Sequence, residues 1–157
     1  MIRIGFGYDV HPFVEGRELW LGGIQIEHPF GLMGHSDADV LIHAICDALL
    51  GAANLRDIGH HFPASASEYK DIDSKRLLRE TMRMIRAANC ELGNVDATIV
   101  AEQPKLSSYI HEIQQTLADV MNVPVNDISI KATTTEKLGF AGRGEGIAAY
   151  ATALLNY

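Results

Sequence analysis

Apolar residues alternate with polar ones in several short runs of the chain, which is the pattern of strands with one buried face. Alternation over Ile2–Phe6 predicts a first strand in residues 1–8. Two alternating runs between residues 18 and 27 meet at Gly22-Gly23, a dipeptide typical of a tight hairpin turn. Later runs predict three further strands, at residues 95–101, 128–132 and 147–155.

Three other segments carry apolar residues at helical spacing. The first follows the polar run Gly34–Asp39, and we expect a helix from about residue 37 to residue 52 with Ser36 as its N-cap. The second is predicted to begin where Asp73 or Ser74 caps it, and its basic residues form a face that we expect to be solvated.

Glycine and proline residues predict where these elements end. Gly93 is expected to close the second helical segment, and a third helix around residues 110–120 is expected to stop before Pro124. Residues 57–63, between the first two helices, contain a glycine and a proline and are predicted to form a loop.

The segment Thr133–Gly146 follows a predicted strand and combines three threonines, a glutamate and a glycine-rich end. A Thr-x-x-Glu pattern is able to cap a short helix, which would present backbone N–H groups and hydroxyls to an anion such as phosphate. The alternative is a capped turn followed by a flexible glycine loop. The pattern alone does not decide between them.

Length, charge and cysteine content limit the classes of protein to consider. A chain of 157 residues is long enough to bury a real core, so we expect a single domain over residues 1–157. A net charge of −7 argues against a nucleic-acid partner, and no apolar run predicts a membrane span or a leader. Cys46 and Cys90 have apolar neighbours and no metal-ligand spacing, which favours reduced thiols in the cytoplasm.

Asp9 and His11 lie two residues apart at the end of the first predicted strand, so their side chains share one face. His43, on the first predicted helix, could complete a set of three oxygen and nitrogen ligands. Such a set suits zinc with an open fourth position, as in a catalytic site. The alternative is chance, because Asp-x-His is a short pattern and the chain has seven histidines.

Asp39, His43 and Asp47 are spaced four residues apart and therefore share one stripe of the first predicted helix. Buried polar groups on such a stripe need partners. Asp47 could accept a hydrogen bond from His43 and orient it toward a metal, or it could serve in helix packing or capping.

The chain as a whole resembles the 2-C-methyl-D-erythritol 2,4-cyclodiphosphate synthase family of the non-mevalonate isoprenoid pathway. The matching segments span almost the whole chain in order. They are Gly7–His11, Gly34–Asp37, His43–Ala44, Asp47–Ala52, Asp57–Gly59, Phe62–Pro63, Gly93–Asp96, Pro104–Lys105 and Lys131–Gly146.

The resemblance implies a phosphorus–oxygen lyase that cyclises 4-diphosphocytidyl-2-C-methyl-D-erythritol 2-phosphate and releases CMP. It assigns one zinc ion per subunit to Asp9, His11 and His43, and a magnesium or manganese ion on the diphosphate to Glu136. His35 and Thr134 are implied to be catalytic, because they hold the diphosphate. Positioning and charge neutralisation are what phosphoryl transfer requires of a protein.

The resemblance also implies which residues bind the substrate, with the methylerythritol end near Asp57 and the cytidine near Ala132. The full set is Asp9, Val10, His11, His35, Ser36, Asp57, Ile58, Gly59, Phe62, Pro63, Ser65, Ala101, Pro104, Lys105, Leu106, Ala132, Thr133, Thr134, Thr135, Glu136, Phe140 and Arg143. The chain departs from the family at Ala64–Ser67, where relatives often carry an aspartate after Phe-Pro; Ser65 is the candidate replacement. Tyr150 stands where some relatives are acidic.

The fold implied by the resemblance is a mixed α/β subunit of the α+β type, with helices packed on one face of a mixed sheet. The implied assembly is a cyclic homotrimer with sites between subunits. Two other functions use the same residues. A zinc-dependent phosphohydrolase would activate water and release a linear phosphate, and a non-catalytic nucleotide-binding trimer would bind CMP without turnover.

Overall fold

A five-stranded mixed sheet forms the base of the subunit in the computed structural model, which describes residues 1–157. The strand order is β4-β1-β7-β5-β6; β7 runs antiparallel to both β1 and β5, while β5 and β6 are parallel. A separate hairpin consists of β2 and β3. The strands are β1 (Ile2–Val14), β2 (Leu19–Leu21), β3 (Ile24–Ile26), β4 (Gly31–Leu32), β5 (Glu91–Val100), β6 (Ile128–Thr133) and β7 (Gly146–Asn156).

The three long helices cover one face of this sheet, as expected. The helices of the chain are α1 (Val40–Ala52), α2 (Ile58–His61), α3 (Ser74–Ala87), α4 (Ile110–Met121) and α5 (Gly139–Gly142). Helix α1 packs on β1 and β7, α4 packs on β6, and α3 contacts α1 and α4. The predicted strands, the hairpin and the three long helices are all present. No helix is long and apolar enough to cross a membrane.

The start of the first helix differs from the prediction. Ser36 is not its N-cap, because α1 begins at Val40 and the carboxylate of Asp39 accepts the capping hydrogen bond from the Ile42 N–H. Ala38 has a φ of +60°, a left-handed conformation that a right-handed helix excludes. Asp73, rather than Ser74, caps α3 by accepting from the Lys75 N–H.

Two predictions about connecting segments were also wrong, and the structure decides against one of the two interpretations left open for Thr133–Gly146. Residues 57–63 contain the short helix α2, because the Asp57 carboxylate caps it through the His60 N–H. Gly93 lies inside β5, at an irregularity in its pairing with β7. The Thr-x-x-Glu pattern caps no helix: α5 begins only at Gly139, and its N-cap Leu138 makes no side-chain hydrogen bond.

Close approach of α1 to the sheet depends on two glycines in β1. A Cβ atom on Gly7 would lie 1.9 Å from the carbonyl oxygen of Ala44, and one on Gly5 would lie 1.8 Å from that of Ala48. No side chain fits at either position. The backbone of α1 therefore rests directly on β1, which brings His43 next to the strand segment that carries Asp9 and His11.

The opposite face of the sheet is apolar, and only the four-residue helix α5 packs on it, at one end. Ile4 and Phe6 of β1 are 69% and 64% exposed, and Tyr8 and Tyr150 are each 42% exposed with ring centroids 5.0 Å apart. Contiguous exposed apolar surface of this kind marks interaction sites. Most of this face is exposed in the single chain.

Candidate metal centre and nucleotide cavity

Asp9, His11 and His43 form a compact cluster of potential metal ligands, as the spacing predicted. The Asp9 Oδ2 atom lies 2.9 Å from His11 Nε2 and 3.1 Å from His43 Nδ1, and the two ring nitrogens are 3.3 Å apart. A tetrahedral zinc ion with bonds of about 2.0–2.1 Å separates its ligand atoms by about 3.3 Å. The three ligand atoms are therefore spaced like three corners of a tetrahedral zinc site.

The electrostatics of the cluster favour an ionised carboxylate. Burial by itself would raise the pKa of Asp9, but its close polar contacts with His11 and His43 lower it to about 2. Burial acts to lower the pKa of His11, but the hydrogen bond to Asp9 raises it overall. The His11 Nδ1–H donates to the Met33 carbonyl oxygen at 2.7 Å, which leaves Nε2 to face the cluster.

Asp47 does not contact the cluster through a hydrogen bond. Its Oδ1 accepts from the Ile58 N–H at 2.7 Å, at the start of α2. Of the two roles considered for this carboxylate, the structure matches packing and capping. Asp39 is fully buried and accepts from the N–H groups of Gly22 and Gly23, so it holds the hairpin turn against the start of α1.

A cavity of about 200 Å³ opens beside the metal cluster. Its lining brings together several residues expected to bind substrate, which are His11, His35, Ser36, Ile58, Gly59 and Phe62. The His35 Nε2–H donates to the Ala66 carbonyl oxygen at 3.0 Å, which sets the ring against the 64–67 segment.

Other residues expected on this side lie outside the cavity wall. Asp57, Pro63 and Ser65 are sequence neighbours of residues that line the cavity, but they do not line it themselves. Val10 is 40% exposed on the opposite face of β1, because strand alternation turns it away from Asp9 and His11.

A second cavity, of about 290 Å³, lies beyond the ends of β5 and β6. Its lining matches the expected cytidine pocket and consists of Ala101, Glu102, Pro104, Lys105, Leu106, Ser107, Ile110, Ala132, Thr133 and Thr134. Lys105 is its one cationic side chain.

The Thr134–Lys137 loop at this cavity is held by a residue that the sequence reasoning missed. One carboxylate oxygen of Glu102 accepts from the N–H groups of Thr135 and Lys137, at 3.2 and 3.0 Å. The backbone N–H groups expected to bind an anion are thus partly occupied by the chain's own carboxylate. A signal existed: Glu102 and Thr134 each follow a strand of one β–α–β unit, and parallel strands end at the same edge.

Four further expected site residues, all in the segment after β6, also line neither cavity: Thr135, Glu136, Phe140 and Arg143. Glu136 is not part of the metal cluster, and its carboxylate lies 3.4 Å from the Thr134 hydroxyl. Arg143 pairs with Glu145 at 3.1 Å on the surface.

The two cavities are separated within one chain. Register pairs Asp9 with Ala149, Ala149 with Ile99, and Ile99 with Ala132, so Asp9 and Ala132 stand level but three strands apart. Three strand spacings amount to about 14 Å. The hairpin turn lies between the two cavities. The Gly23 N–H donates to the Asp39 carboxylate on one side, and Gly23 approaches α4 on the other.

Comparisons with known proteins agree with this arrangement. A sequence model of the YgbB family matches residues 2–156. The 2-C-methyl-D-erythritol 2,4-cyclodiphosphate synthase of Parabacteroides distasonis is 72% identical over 154 residues, covering 98% of this chain and 96% of that enzyme. The enzyme of the same name from Bacteroides fragilis is 68% identical over 155 residues, covering 99% and 98%.

Solved structures give the same result. The bifunctional IspDF of Campylobacter jejuni aligns with a TM-score of 0.97 and 43% identity over all of this chain, which corresponds to 42% of that longer chain. A 2-C-methyl-D-erythritol 2,4-cyclodiphosphate synthase with bound CDP aligns with a TM-score of 0.90 and 35% identity, covering 98% of this chain and 100% of that one. This chain therefore belongs to the YgbB family, the family of the 2-C-methyl-D-erythritol 2,4-cyclodiphosphate synthases.

Proposed function

We propose that the chain cyclises 4-diphosphocytidyl-2-C-methyl-D-erythritol 2-phosphate to 2-C-methyl-D-erythritol 2,4-cyclodiphosphate in the non-mevalonate isoprenoid pathway. An oxygen of the 2-phosphate forms a bond to the β-phosphorus. The bond from that phosphorus to the bridging oxygen breaks, and CMP leaves with the oxygen. The observation that carries the proposal is the Asp9–His11–His43 cluster beside a cavity, in a chain that is up to 72% identical to named synthases.

One zinc ion per subunit would be held by Asp9, His11 and His43. The ligand separations, the ionised carboxylate and the mixed oxygen and nitrogen donors all support this choice. When bound, the ion supplies Lewis acidity toward phosphate oxygens. The side chains contribute a preformed geometry, because the hydrogen bond to the Met33 carbonyl oxygen orients the His11 ring independently of a metal ion.

The residues of the two cavities would divide the substrate between them. The cavity next to the metal cluster takes the methylerythritol phosphate, with Ile58 and Gly59 in its wall and His35 beside the diphosphate. The cavity at Ala132 takes the cytidine, with Lys105 as the cation nearest to it. Thr134 holds the diphosphate from that side, and Glu136 would bind a magnesium or manganese ion on it.

A cyclic homotrimer with sites between subunits is the assembly that these features favour. His35 and Thr134, both assigned to one diphosphate, lie at different cavities of the same chain, with about 14 Å of sheet between the strands that position the two halves. The apolar face that includes Ile4 and Phe6 provides surface for a neighbouring subunit. A neighbour's cytidine cavity could then meet this chain's metal cluster.

Residues 1–157 would act as one catalytic domain in the cytoplasm, a location that suits two free, buried cysteines. The partner is a small cytidine diphosphate ester. A net charge of −7 does not favour nucleic acid.

Product analysis tests the reaction. The purified protein with zinc, magnesium and substrate should yield CMP and the cyclic diphosphate in equal amounts, as measured by mass spectrometry. A linear phosphate carrying oxygen from labelled water would instead identify a phosphohydrolase, and CMP binding without turnover would identify a nucleotide-binding protein.

The variant His43→Ala tests the metal assignment. It should lose bound zinc and nearly all activity while keeping its unfolding behaviour and assembly, because His43 is one of only three protein ligands. One zinc per subunit and normal turnover in this variant would show that the ligands are assigned wrongly.

A further inference from the structure

The two ring nitrogens of His43 face different surroundings. Nδ1 points at Asp9 and His11, whereas Nε2 lies 3.0 Å from the hydroxyl of Ser74 and 3.2 Å from that of Ser36. Ser74 is the first residue of α3 and is fully buried, 31 residues away from His43 in sequence.

The hydrogen bonds of Ser74 decide which partner donates. Its hydroxyl donates to Asp37 Oδ1, and its backbone N–H donates to Asp37 Oδ2 at 2.9 Å. A serine hydroxyl has a single hydrogen, so the Ser74 oxygen is able only to accept from His43. The His43 Nε2 atom must then carry the proton, which leaves the lone pair of Nδ1 directed at the other two ligands.

We propose that Ser74 and Asp37 are positioning residues that set the tautomer and ring orientation of His43 for metal binding. They touch neither substrate nor metal, and they act through the imidazole. The hydrogen-bond chain Asp37–Ser74–His43 ties the ligand on α1 to the start of α3. This inference rests on the proposed zinc site, and it gives the orienting role to this pair instead of Asp47, which is bonded to Ile58.

The test measures the zinc affinity of the metal-free trimer by competition with a chelator. Ser74→Ala removes the acceptor, and Asp37→Asn offers an amide that is able to donate to Ser74 and so turn the hydroxyl proton toward His43. Each variant should bind zinc about 10- to 100-fold more weakly than the wild type, the usual loss for an outer partner of a ligand. The double variant should lose no more zinc affinity than the single variant with the larger loss, because both substitutions act through one hydrogen bond.

Asp73→Ala is the matched control for damage to α3. Asp73 precedes Ser74 and caps the same helix by accepting from the Lys75 N–H at 2.9 Å, but it does not touch His43. This variant should lower the unfolding temperature of the metal-free protein and leave zinc affinity unchanged. Asp47→Asn should likewise keep the wild-type zinc affinity.

The outcomes separate this inference from the proposed function. Wild-type zinc affinity in both Ser74→Ala and Asp37→Asn would overturn the inference while the zinc site itself stands. An equal loss of zinc affinity in Asp73→Ala would also overturn it, since a purely structural role would then explain the effect. A wild-type protein that binds no zinc would reject the proposed site, and the positioning role would fall with it.

Discussion

Complementation between two inactive variants is the sharpest test of a site shared between subunits. His43→Ala breaks the metal half, and Ala132→Trp fills the cytidine cavity. Ala132 is exposed at the end of β6, so the larger side chain enters the cavity and does not disturb the core. Each variant alone should be inactive, because every site of the proposed trimer would carry the same lesion.

The recovery after mixing follows from the geometry. If the metal half and the cytidine half come from adjacent chains of a ring, a site is intact when a chain with an intact metal half precedes one with an intact cytidine half. Each condition holds for about one half of chains at equal concentration, so about a quarter of sites should recover under random cyclic assembly. A site within one chain would recover none, because every chain has one broken half.

The assay is refolding of the two variants together, followed by measurement of CMP release and of the cyclic product. Distinct affinity tags on the two chains confirm that hetero-trimers have formed. Activity near a quarter of the wild-type value supports the shared site. Activity near zero in confirmed hetero-trimers refutes it, and the cytidine and metal halves of a single chain would then have to bridge about 14 Å across the hairpin turn.

Three other predictions concern the elements that hold the two halves. Gly7→Ala should lower the free energy of unfolding by about 3 kcal/mol, because its Cβ would meet a carbonyl oxygen of α1 at 1.9 Å, and the unfolding temperature should fall by about 6–12 °C. Gly51→Ala, which has open space around it, should show no such loss. Glu102→Ala should free the loop that carries Thr134 and lower kcat by about 10- to 100-fold while CMP affinity, measured by calorimetry, changes less. The pKa of His11 is raised above its ordinary value of 6.5, and zinc affinity should fall as the pH drops through it, because a proton on Nε2 competes with the metal. The fall should reach up to about tenfold per pH unit. Equal calorimetric affinities at about pH 6 and about pH 8 would contradict this.

Local patterns in the sequence were sufficient for most of the elements. Alternation placed the strands, Gly22-Gly23 placed the hairpin turn, and helical spacing placed the three long helices, because these signals depend on residues close together in the chain. The Asp9-x-His11 pair was also accessible, since strand geometry alone puts both side chains on one face. Its third member, His43, required only one further assumption about packing.

Element ends and the partners of polar groups were decided by long-range contacts. Asp39 caps α1 in place of Ser36 because the hairpin turn holds its carboxylate. That carboxylate accepts hydrogen bonds from two N–H groups of the turn, which are 17 and 16 residues away in sequence. Asp47 matched a helix stripe with His43, yet its hydrogen bond goes to Ile58. Spacing along a helix shows which side chains share a face, but not which group from another element meets them.

The sequence by itself determined six of the seven strands, the long helices and the Asp9 and His11 pair, because each depends on backbone geometry over a few residues. Only the tertiary structure decided that Ser74 and Asp37 stand behind His43 and that Glu102 holds the Thr134 loop. It also decided that the metal cluster and the nucleotide cavity lie three strands apart, since strand order is set by which hydrophobic faces and edges pair across the whole chain.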